Sequence, residues 1–451
     1  MKIVIVGAGK VGEVLCKDLS LEGYDIILIE QNKEKLEAII DTTDVTGFVG
    51  NGASIDVQME AGVDTADIFI AVSEKDEINI IASIIAKKLG AKDTVARVRS
   101  PEYNQNVEFA QKELGISFMI NPEKQSAKTI MDSIKFPGAI SVDSFMHGKV
   151  NILEFSVKEE SPIENKALKD IKMTKGHILI CAVDRDGEAF IPDGNFVLEK
   201  DDRIQVTGDM AALKEFILKC NYPNKLIKSL LIIGGGELSY YLALESIRRK
   251  LKVKIIEIDE KRAEYLAEAL PEALIIHGDG TDHDTLFEQR FENYDAIVSS
   301  TPIDEENIML SMYAESMTDA KNIVKISRDR LTPLAKNLGI NTIITPKAII
   351  ADNITRYVRS KAKISSSKVE NLHRLLNKEV EAIQFSIGES NQALGIAFKD
   401  LKVKPGVLFA CIQRNGEIIF PTGNDFFIAG DNVVVVSKLK FLNEFEDVLV
   451  L

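Results

Sequence analysis

The feature that most constrains the fold is a sequence plan that occurs twice in the 451-residue chain. In each copy a short apolar segment leads into a glycine-rich turn. The interval from the first glycine of that turn to an acidic residue is the same in both copies, from Gly7 to Glu30 and from Gly234 to Glu257. A repeat of this size indicates two copies of one architecture rather than a single large domain.

The first copy predicts the order strand, glycine turn, helix, strand and acidic residue. Residues 2–6 are apolar and rich in β-branched side chains, which is typical of a buried parallel strand. Gly7, Gly9 and Gly12 follow, and then a segment with helical periodicity. A second apolar segment ends at Glu30. This order is the dinucleotide-binding fingerprint in its expected structural context.

Each of these residue types has a role in binding a nucleotide. Gly7 permits a tight turn, Gly9 lets the backbone approach a pyrophosphate, and Gly12 lets the helix pack against the strand. Unpaired N–H groups at the helix N-terminus would face the phosphates. Glu30 can accept both ribose hydroxyls and would repel a 2′-phosphate, which favours NAD over NADP and leaves ATP and ADP open. The alternative is a glycine turn that serves only packing.

Two further segments are expected near the ligand. The glycine-containing loop 50–54 follows the third predicted strand and is expected to lie against the adenosine, with an ordinary turn as the alternative. Arg97 and Arg99 stand at the end of the fifth predicted strand. They either meet phosphates or are solvated surface arginines.

The expected fold class is α/β, with two doubly wound parallel-sheet Rossmann lobes, each followed by a small α+β domain. The small domains repeat as well, with Cys181 matching Cys411. The predicted ranges are 1–122 for the first lobe, 139–223 for the first small domain, 228–347 for the second lobe and 368–451 for the second small domain. The helices predicted after the two sheets, 123–134 and 347–357, are expected to pack on neighbouring lobes.

The repeat is imperfect at one position that matters for binding. Ser239 stands where the first copy has Gly12. A side chain there is expected to push the helix outward or to narrow the phosphate pocket, so the second lobe either binds more weakly or holds a different nucleotide.

Charge and composition exclude several classes of protein. The formal net charge of −14 argues against binding to nucleic acid and against adsorption to anionic lipid. No apolar run approaches the ~20 residues of a membrane helix, and the sequence opens directly into a strand. We therefore expect a soluble, cytoplasmic protein. The four cysteines are far apart and predict reduced, mostly buried thiols.

Four segments of the chain resemble the TrkA family, the cytoplasmic regulatory subunits of Trk potassium uptake systems. The segments are residues 3–12, 49–54, 71–79 and 96–103. The resemblance covers essentially the whole chain, including the tandem regulator-of-potassium-conductance (RCK) domains of that family.

The resemblance implies binding of NAD or NADH, and possibly of ATP or ADP. It also implies a homo-oligomeric ring of four chains that gates a membrane-embedded potassium channel subunit of the Trk type, at the inner face of the cell membrane. No catalytic residue or metal is implied. The implied cofactor-binding residues are Gly7, Ala8, Gly9, Lys10, Val11, Glu30, Ser73, Glu74 and Arg97 in the first lobe. In the second lobe they are Gly234, Gly235, Gly236, Glu237, Leu238 and Glu257.

Two alternatives have weaker support. An NAD-dependent dehydrogenase needs a substrate domain, but the repeat uses the whole chain. Tyr357 and Lys361 fit a YxxxK pattern, although the glycine pattern at 234–239 is not that of short-chain dehydrogenases. A metal site would use the cluster of His and Asp residues at 277–284, but charges on a solvated loop explain that cluster more simply.

Overall fold

The computed structural model describes residues 1–104, 107–361 and 367–450, so Leu451 of the second predicted small domain lies outside the described residues. The chain divides into two compact units. One comprises Met1–Met131 and Lys228–Thr355, and the other comprises Asp132–Ile227 and Arg356–Leu451. Each half of the repeat therefore contributes a segment to both units. The ranges predicted for the four domains stay predictions.

The first lobe is a six-stranded sheet in the order β3-β2-β1-β4-β5-β6, in which every neighbouring pair is parallel. The strands are β1 (Lys2–Val6), β2 (Asp25–Glu30), β3 (Thr46–Val49), β4 (Ile68–Ala71), β5 (Asp93–Arg97) and β6 (Phe118–Ile120). The helices are α1 (Lys10–Leu21), α2 (Lys33–Ile40), α3 (Ile55–Glu60), α4 (Asp76–Leu89), α5 (Pro101–Asn104), α6 (Val107–Glu113) and α7 (Pro122–Lys135).

The central strands of this sheet are apolar along most of their length, because a parallel sheet of this class has both faces covered by helices. Residues 3–6 of β1 and all of β4 are buried, as expected for central parallel strands. The strand order reverses between β1 and β4, which both pair with their neighbours in parallel. In open sheets of this kind a ligand crevice forms at that reversal, outside the carboxyl ends of the strands.

The first small domain follows. Its antiparallel sheet has the order β10-β9-β11-β8-β7. The strands are β7 (Val142–Phe145), β8 (Val150–Ser156), β9 (Ile178–Arg185), β10 (Glu188–Phe190) and β11 (Arg203–Gly208), with helix α8 (Met210–Lys219). Asp186 and Gly187 join β9 to β10 with φ values of +54° and +85°. An Asp-Gly pair favours this hairpin turn because both residues readily adopt positive φ.

The second lobe repeats the parallel sheet in the order β14-β13-β12-β15-β16-β17. Its strands are β12 (Ser229–Ile233), β13 (Lys252–Glu257), β14 (Leu274–His277), β15 (Ala296–Ser299), β16 (Lys321–Lys325) and β17 (Ile343–Ile344). Its helices are α9 (Glu237–Arg248), α10 (Glu260–Ala269), α11 (His283–Glu288), α12 (Asp304–Met317), α13 (Thr332–Asn337) and α14 (Pro346–Ser360).

The second small domain has the sheet order β18-β19-β22-β20-β21. The first small domain has the same order of equivalent strands when its sheet is listed from the other edge. Its strands are β18 (Ser367–Leu375), β19 (Val380–Ile387), β20 (Val407–Arg414), β21 (Glu417–Ile419) and β22 (Asn432–Ser437). The predicted fold class, two Rossmann lobes each followed by a small domain, is confirmed.

Equivalent domains pack against each other within each unit. In the first unit, Ser246 and Arg249 of α9 contact Met131 of α7, at 3.2 Å to its sulfur and 3.4 Å to its carbonyl oxygen. In the other unit, one buried apolar cluster contains residues of both small domains, among them Phe145 and Val380. A domain therefore buries part of its surface against its own repeat.

The helices after the two sheets and the four cysteines contribute side chains to the interior of the chain. Ile130 of α7 and Ile354 of α14 are fully buried within the chain itself. All four cysteines are free and buried, as predicted. Among the described residues, no helix combines the length and the apolar character needed to cross a membrane.

Candidate functional site

A cleft of about 250 Å³ opens at the carboxyl ends of β1 and β2 in the first lobe, just below the usual ~300–1,000 Å³ of small-molecule sites. It brings together five of the residues that the family resemblance implies for cofactor binding, namely Gly7, Gly9, Glu30, Ser73 and Glu74. The lining residues are Val6, Gly7, Gly9, Ile29, Glu30, Gln31, Lys35, Gly50, Gly52, Ser73, Glu74, Lys75 and Ile78. The predicted loop 50–54 thus contributes two glycines to this wall.

The three fingerprint glycines meet different constraints. Gly7 has φ of +104°, and a Cβ there would come within 2.9 Å of the Ser73 backbone. A Cβ on Gly12 would lie 1.9 Å from the carbonyl oxygen of Gly7, so the helix can pack this closely only with glycine. A Cβ on Gly9 would meet nothing within 4 Å. The space beside Gly9 is therefore open for a ligand to approach the backbone.

Glu30 braces the glycine turn. Its Oε2 accepts a hydrogen bond from the Ala8 N–H at 2.6 Å, and its Oε1 accepts one from the Asn32 N–H at 2.9 Å. Each carboxylate oxygen keeps a further lone pair, so the same group can accept ribose hydroxyls. The packing role and the binding role of this residue are compatible.

Arg97 approaches the cleft from outside its lining. Its Nη1 donates to the Ser73 carbonyl at 3.1 Å. Burial lowers the pKa of Arg97, and the nearby Arg99 lowers it further. Among the described residues, the buried Nε of Arg97 has no hydrogen-bond partner. Ser73 and Glu74 form the rim of the cleft on this side. Arg99 holds Glu74, because its Nη2 donates to the Glu74 carbonyl at 2.7 Å.

Asn79 positions Ser73 from beneath, a role that the sequence analysis did not assign. The Asn79 Oδ1 accepts from the Ser73 N–H at 2.8 Å and from its hydroxyl at 2.7 Å. Its Nδ2 donates to the Arg97 carbonyl at 2.9 Å. Asn307 repeats the backbone bonds in the second lobe, since it accepts from the Thr301 N–H at 2.8 Å and donates to the Lys325 carbonyl at 3.1 Å. The signal in the sequence was the recurrence of this asparagine in both copies.

Two lysines in the cleft were also missed. Lys35 near the start of α2 and Lys75 before α4 both line it. Each is a cation beside the N-terminus of a helix that follows a sheet strand. That placement suits an anionic ligand.

The second lobe reproduces the glycine turn and its brace. Gly234 has φ of +96°. Glu257 accepts from the Gly235 N–H at 2.5 Å and from the Asp259 N–H at 2.7 Å. The α9 helix begins after Gly236, as α1 begins after Gly9. Val11 and Leu238, at equivalent positions in the two helices, are both buried.

Ser239 changes the approach of the helix to the turn. In the first lobe, a Cβ on the equivalent Gly12 would lie 1.9 Å from the Gly7 carbonyl oxygen, whereas real Cβ atoms keep at least about 3.0 Å from such neighbours. A serine Cβ would not fit the first-lobe geometry, so α9 cannot approach its turn as closely as α1 approaches its own. The Ser239 hydroxyl donates a hydrogen bond to the Gly234 carbonyl at 2.5 Å.

The residue that begins the helix differs in charge between the lobes. Lys10 begins α1 and is exposed, whereas Glu237 begins α9. The Glu237 carboxylate lies 3.3 Å from the Arg262 guanidinium. Arg262 also lies against the turn itself, because its Nε donates to the Gly235 carbonyl at 2.7 Å.

The two weaker alternatives gain no geometric support. Within the described ranges, no group of three or more His, Cys, Asp or Glu side chains could hold a metal ion. Asp282 instead caps α11 through the Thr285 N–H, a hydrogen bond that lowers the pKa of the carboxyl. The ammonium of Lys361 lies 5.0 Å from the centre of the Tyr357 ring, a cation–π contact on α14 and the residue after it.

The chain matches two family patterns. The TrkA-N domain matches residues 3–122 and again residues 230–346, which together make up more than half of the chain. The TrkA-C domain matches residues 152–220. The two TrkA-N matches coincide with the two parallel sheets.

Solved structures share the fold at low sequence identity. The GsuK channel bound to NAD is 14% identical, with a TM-score of 0.62, and the match covers 99% of this chain and 78% of that one. The GsuK RCK domain gives a TM-score of 0.61 at 14% identity, covering 97% of this chain and 92% of that one. At this identity the likeness shows the fold alone.

Relatives align over nearly the whole length. The Trk system potassium uptake protein TrkA homolog 1 of Methanosarcina mazei is 30% identical, over 99% of each chain. The Trk system potassium uptake protein TrkA of Vibrio alginolyticus is also 30% identical, over 99% of this chain and 98% of its own. These matches, with the doubled TrkA-N pattern, show that the chain belongs to the TrkA family.

Proposed function

We propose that this protein is the nucleotide-sensing regulatory subunit of a potassium uptake channel. The observation that carries the proposal is the first-lobe cleft, in which the glycine turn, Glu30 and the Ser73–Glu74 rim converge. Its family context adds the transport role, since full-length relatives are named Trk system potassium uptake proteins.

The ligand of the first lobe is NAD or NADH, with ATP and ADP as alternatives. The open space at Gly9 accommodates a pyrophosphate, and the Glu30 carboxylate suits a free ribose. GsuK structures that share the fold carry NAD in one case and ADP in another. The residues proposed to contact the ligand here are Gly7, Gly9, Glu30, Ser73 and Glu74, with Arg97 supporting the rim.

The protein acts by shifting a conformational equilibrium rather than by catalysis. A nucleotide that binds one arrangement of the assembly more tightly moves the equilibrium by that difference, typically about 1–3 kcal/mol per coupled site. A dehydrogenase would need a substrate domain that places a proton-transfer group beside the nicotinamide. The repeat leaves no segment for such a domain, because it assigns both halves of the chain to lobes and small domains. NADH should therefore bind without being oxidised in the presence of small carbonyl compounds.

The working assembly is a ring of four chains at the inner face of the membrane, bound to a Trk-type potassium channel subunit. Equivalent helices expose apolar side chains in both lobes, with Ile81 of α4 at 47% and Met309 of α12 at 70% exposure. Met312 and Met317 extend the exposed apolar surface of α12. Pseudo-equivalent surfaces of this kind can continue around a closed ring.

The test combines binding, assembly and channel control. Calorimetric titration of the full chain with NADH, NAD, ATP and ADP should give saturable binding of at least one of them. Light scattering should give a tetramer at micromolar concentration. Co-expression with a Trk-type channel subunit should bring the protein into the membrane fraction, and added nucleotide should change potassium flux. A monomer with no effect on flux would contradict the proposal.

A further inference from the structure

The two glycine turns of this chain carry different charged residues at equivalent positions. In the first lobe Lys10 begins α1 and Lys35 lines the cleft. In the second lobe the equivalent positions hold Glu237 and Arg262, which form an ion pair with each other. The first lobe thus has two lysines at these positions, whereas the second lobe has a carboxylate paired with an arginine.

The ion pair lies over the second turn and not away from it. The Arg262 Nε is fixed on the Gly235 carbonyl at 2.7 Å, and its guanidinium stacks 4.9 Å from the centre of the Tyr265 ring. The Glu237 carboxylate, 3.3 Å from that guanidinium, is therefore held at the N-terminus of α9. This is the place where a dinucleotide pyrophosphate rests in a lobe of this fold.

The pair is also partly sealed from water. Among the described residues, the buried Oε2 of Glu237 and the buried Nη2 of Arg262 have no hydrogen-bond partner. Beside the pair, Ser239 replaces the glycine of the first lobe and donates its hydroxyl to the Gly234 carbonyl. A pyrophosphate arriving here would meet a carboxylate where the first lobe offers a lysine.

From this geometry we infer that Glu237 is a specificity-determining residue, whose carboxylate excludes dinucleotides from the second lobe. The chain would then bind one NADH, in the first lobe. The inference rests on the proposed nucleotide-binding function of that lobe. It assigns different ligand preferences to two sites that share one backbone plan, because like charges a few ångströms apart repel strongly in a partly buried site.

The experiment is calorimetric titration of the full-length protein with NADH. Wild type should bind one NADH per chain. Glu237→Gln, which removes the charge and keeps the size, should raise the affinity of the second lobe at least about tenfold. The double variant Glu237→Lys/Ser239→Gly, which restores the first-lobe residues, should bind two NADH per chain. The mirror variant Lys10→Glu should weaken the first site at least about tenfold.

The outcomes separate this inference from the function on which it rests. Two equal NADH sites in wild type, or a single unchanged site in both Glu237 variants, would overturn the inference and leave the proposed function standing. If neither wild type nor the double variant bound NADH, the NADH assignment would fail together with the inference. Circular dichroism of each variant would show that α9 and the rest of the fold are retained.

Discussion

The hydroxyl of Tyr241 in the second lobe donates a hydrogen bond to the carbonyl of Arg99 in the first lobe, at 3.1 Å. It also accepts one from the side-chain amide of Asn121 at 3.0 Å. Arg99 in turn holds the Glu74 carbonyl at the rim of the first cleft. A continuous set of contacts therefore joins α9, which begins at the second glycine turn, to the wall of the first site.

Tyr241→Phe should loosen this connection. The substitution removes two hydrogen bonds of a buried phenol, and each is worth about 1 kcal/mol. Hydrogen–deuterium exchange of residues 97–100 should accelerate by about fivefold or more, since 1 kcal/mol corresponds to that factor in a local opening equilibrium. Tyr240→Phe is the matched control at the neighbouring position. Equal exchange in both variants would show that the contact carries no stability.

Gly12→Ala and Gly9→Ala should separate packing from binding. A Cβ at position 12 would overlap the Gly7 carbonyl oxygen, so the first variant should lose about 1–3 kcal/mol of stability, seen as a lower melting temperature. A Cβ at position 9 meets no protein atom within 4 Å, so the second variant should melt close to wild type but bind NADH more weakly. A stable Gly12→Ala would show that the helix can retreat freely from the turn.

Glu30→Ala should weaken NADH binding by roughly 1–3 kcal/mol, because charge-assisted hydrogen bonds to the ribose are lost. The brace on the Ala8 N–H is lost as well. Glu257→Ala is the matched control, since it removes the same brace from the second lobe. Calorimetry should show that this control leaves the first site unchanged. Unaltered NADH affinity in Glu30→Ala would remove that residue from the site.

The cysteines should resist alkylation in the native protein. Burial raises the pKa of Cys16, Cys181 and Cys411 to about 12 and that of Cys220 to about 11, so the reactive thiolate is nearly absent at neutral pH. Iodoacetamide at pH 8 followed by mass spectrometry should show labelling only after denaturation. Labelling of the native chain at Cys181 would contradict this burial.

The same pKa shifts have a consequence for stability at high pH. A thiol whose pKa is raised by folding stays protonated in the native state while the unfolded chain ionises. Its contribution to stability is therefore complete below about pH 9 and is lost as pH rises towards 12.

The sequence by itself determined the parts of the molecule that depend on local periodicity and turn chemistry. The apolar strand 2–6, the turn at Gly7 and the acidic end of β2 at Glu30 lie where the pattern predicts them, because each requirement acts over a few residues. The fold class followed from the recurrence of this unit. The local sequence also contained Lys35 and Asn79, but it did not say that they reach the cleft.

Only the tertiary structure decided which distant surfaces meet. The pairing of each domain with its own repeat, the bond from Tyr241 to Arg99 and the placement of Arg97 outside the cleft lining connect residues far apart in the chain. The same holds for the ion pair of Glu237 with Arg262 over the second turn. Such contacts depend on the shape and charge of whole packed faces, and hydrophobic periodicity carries information about one face only.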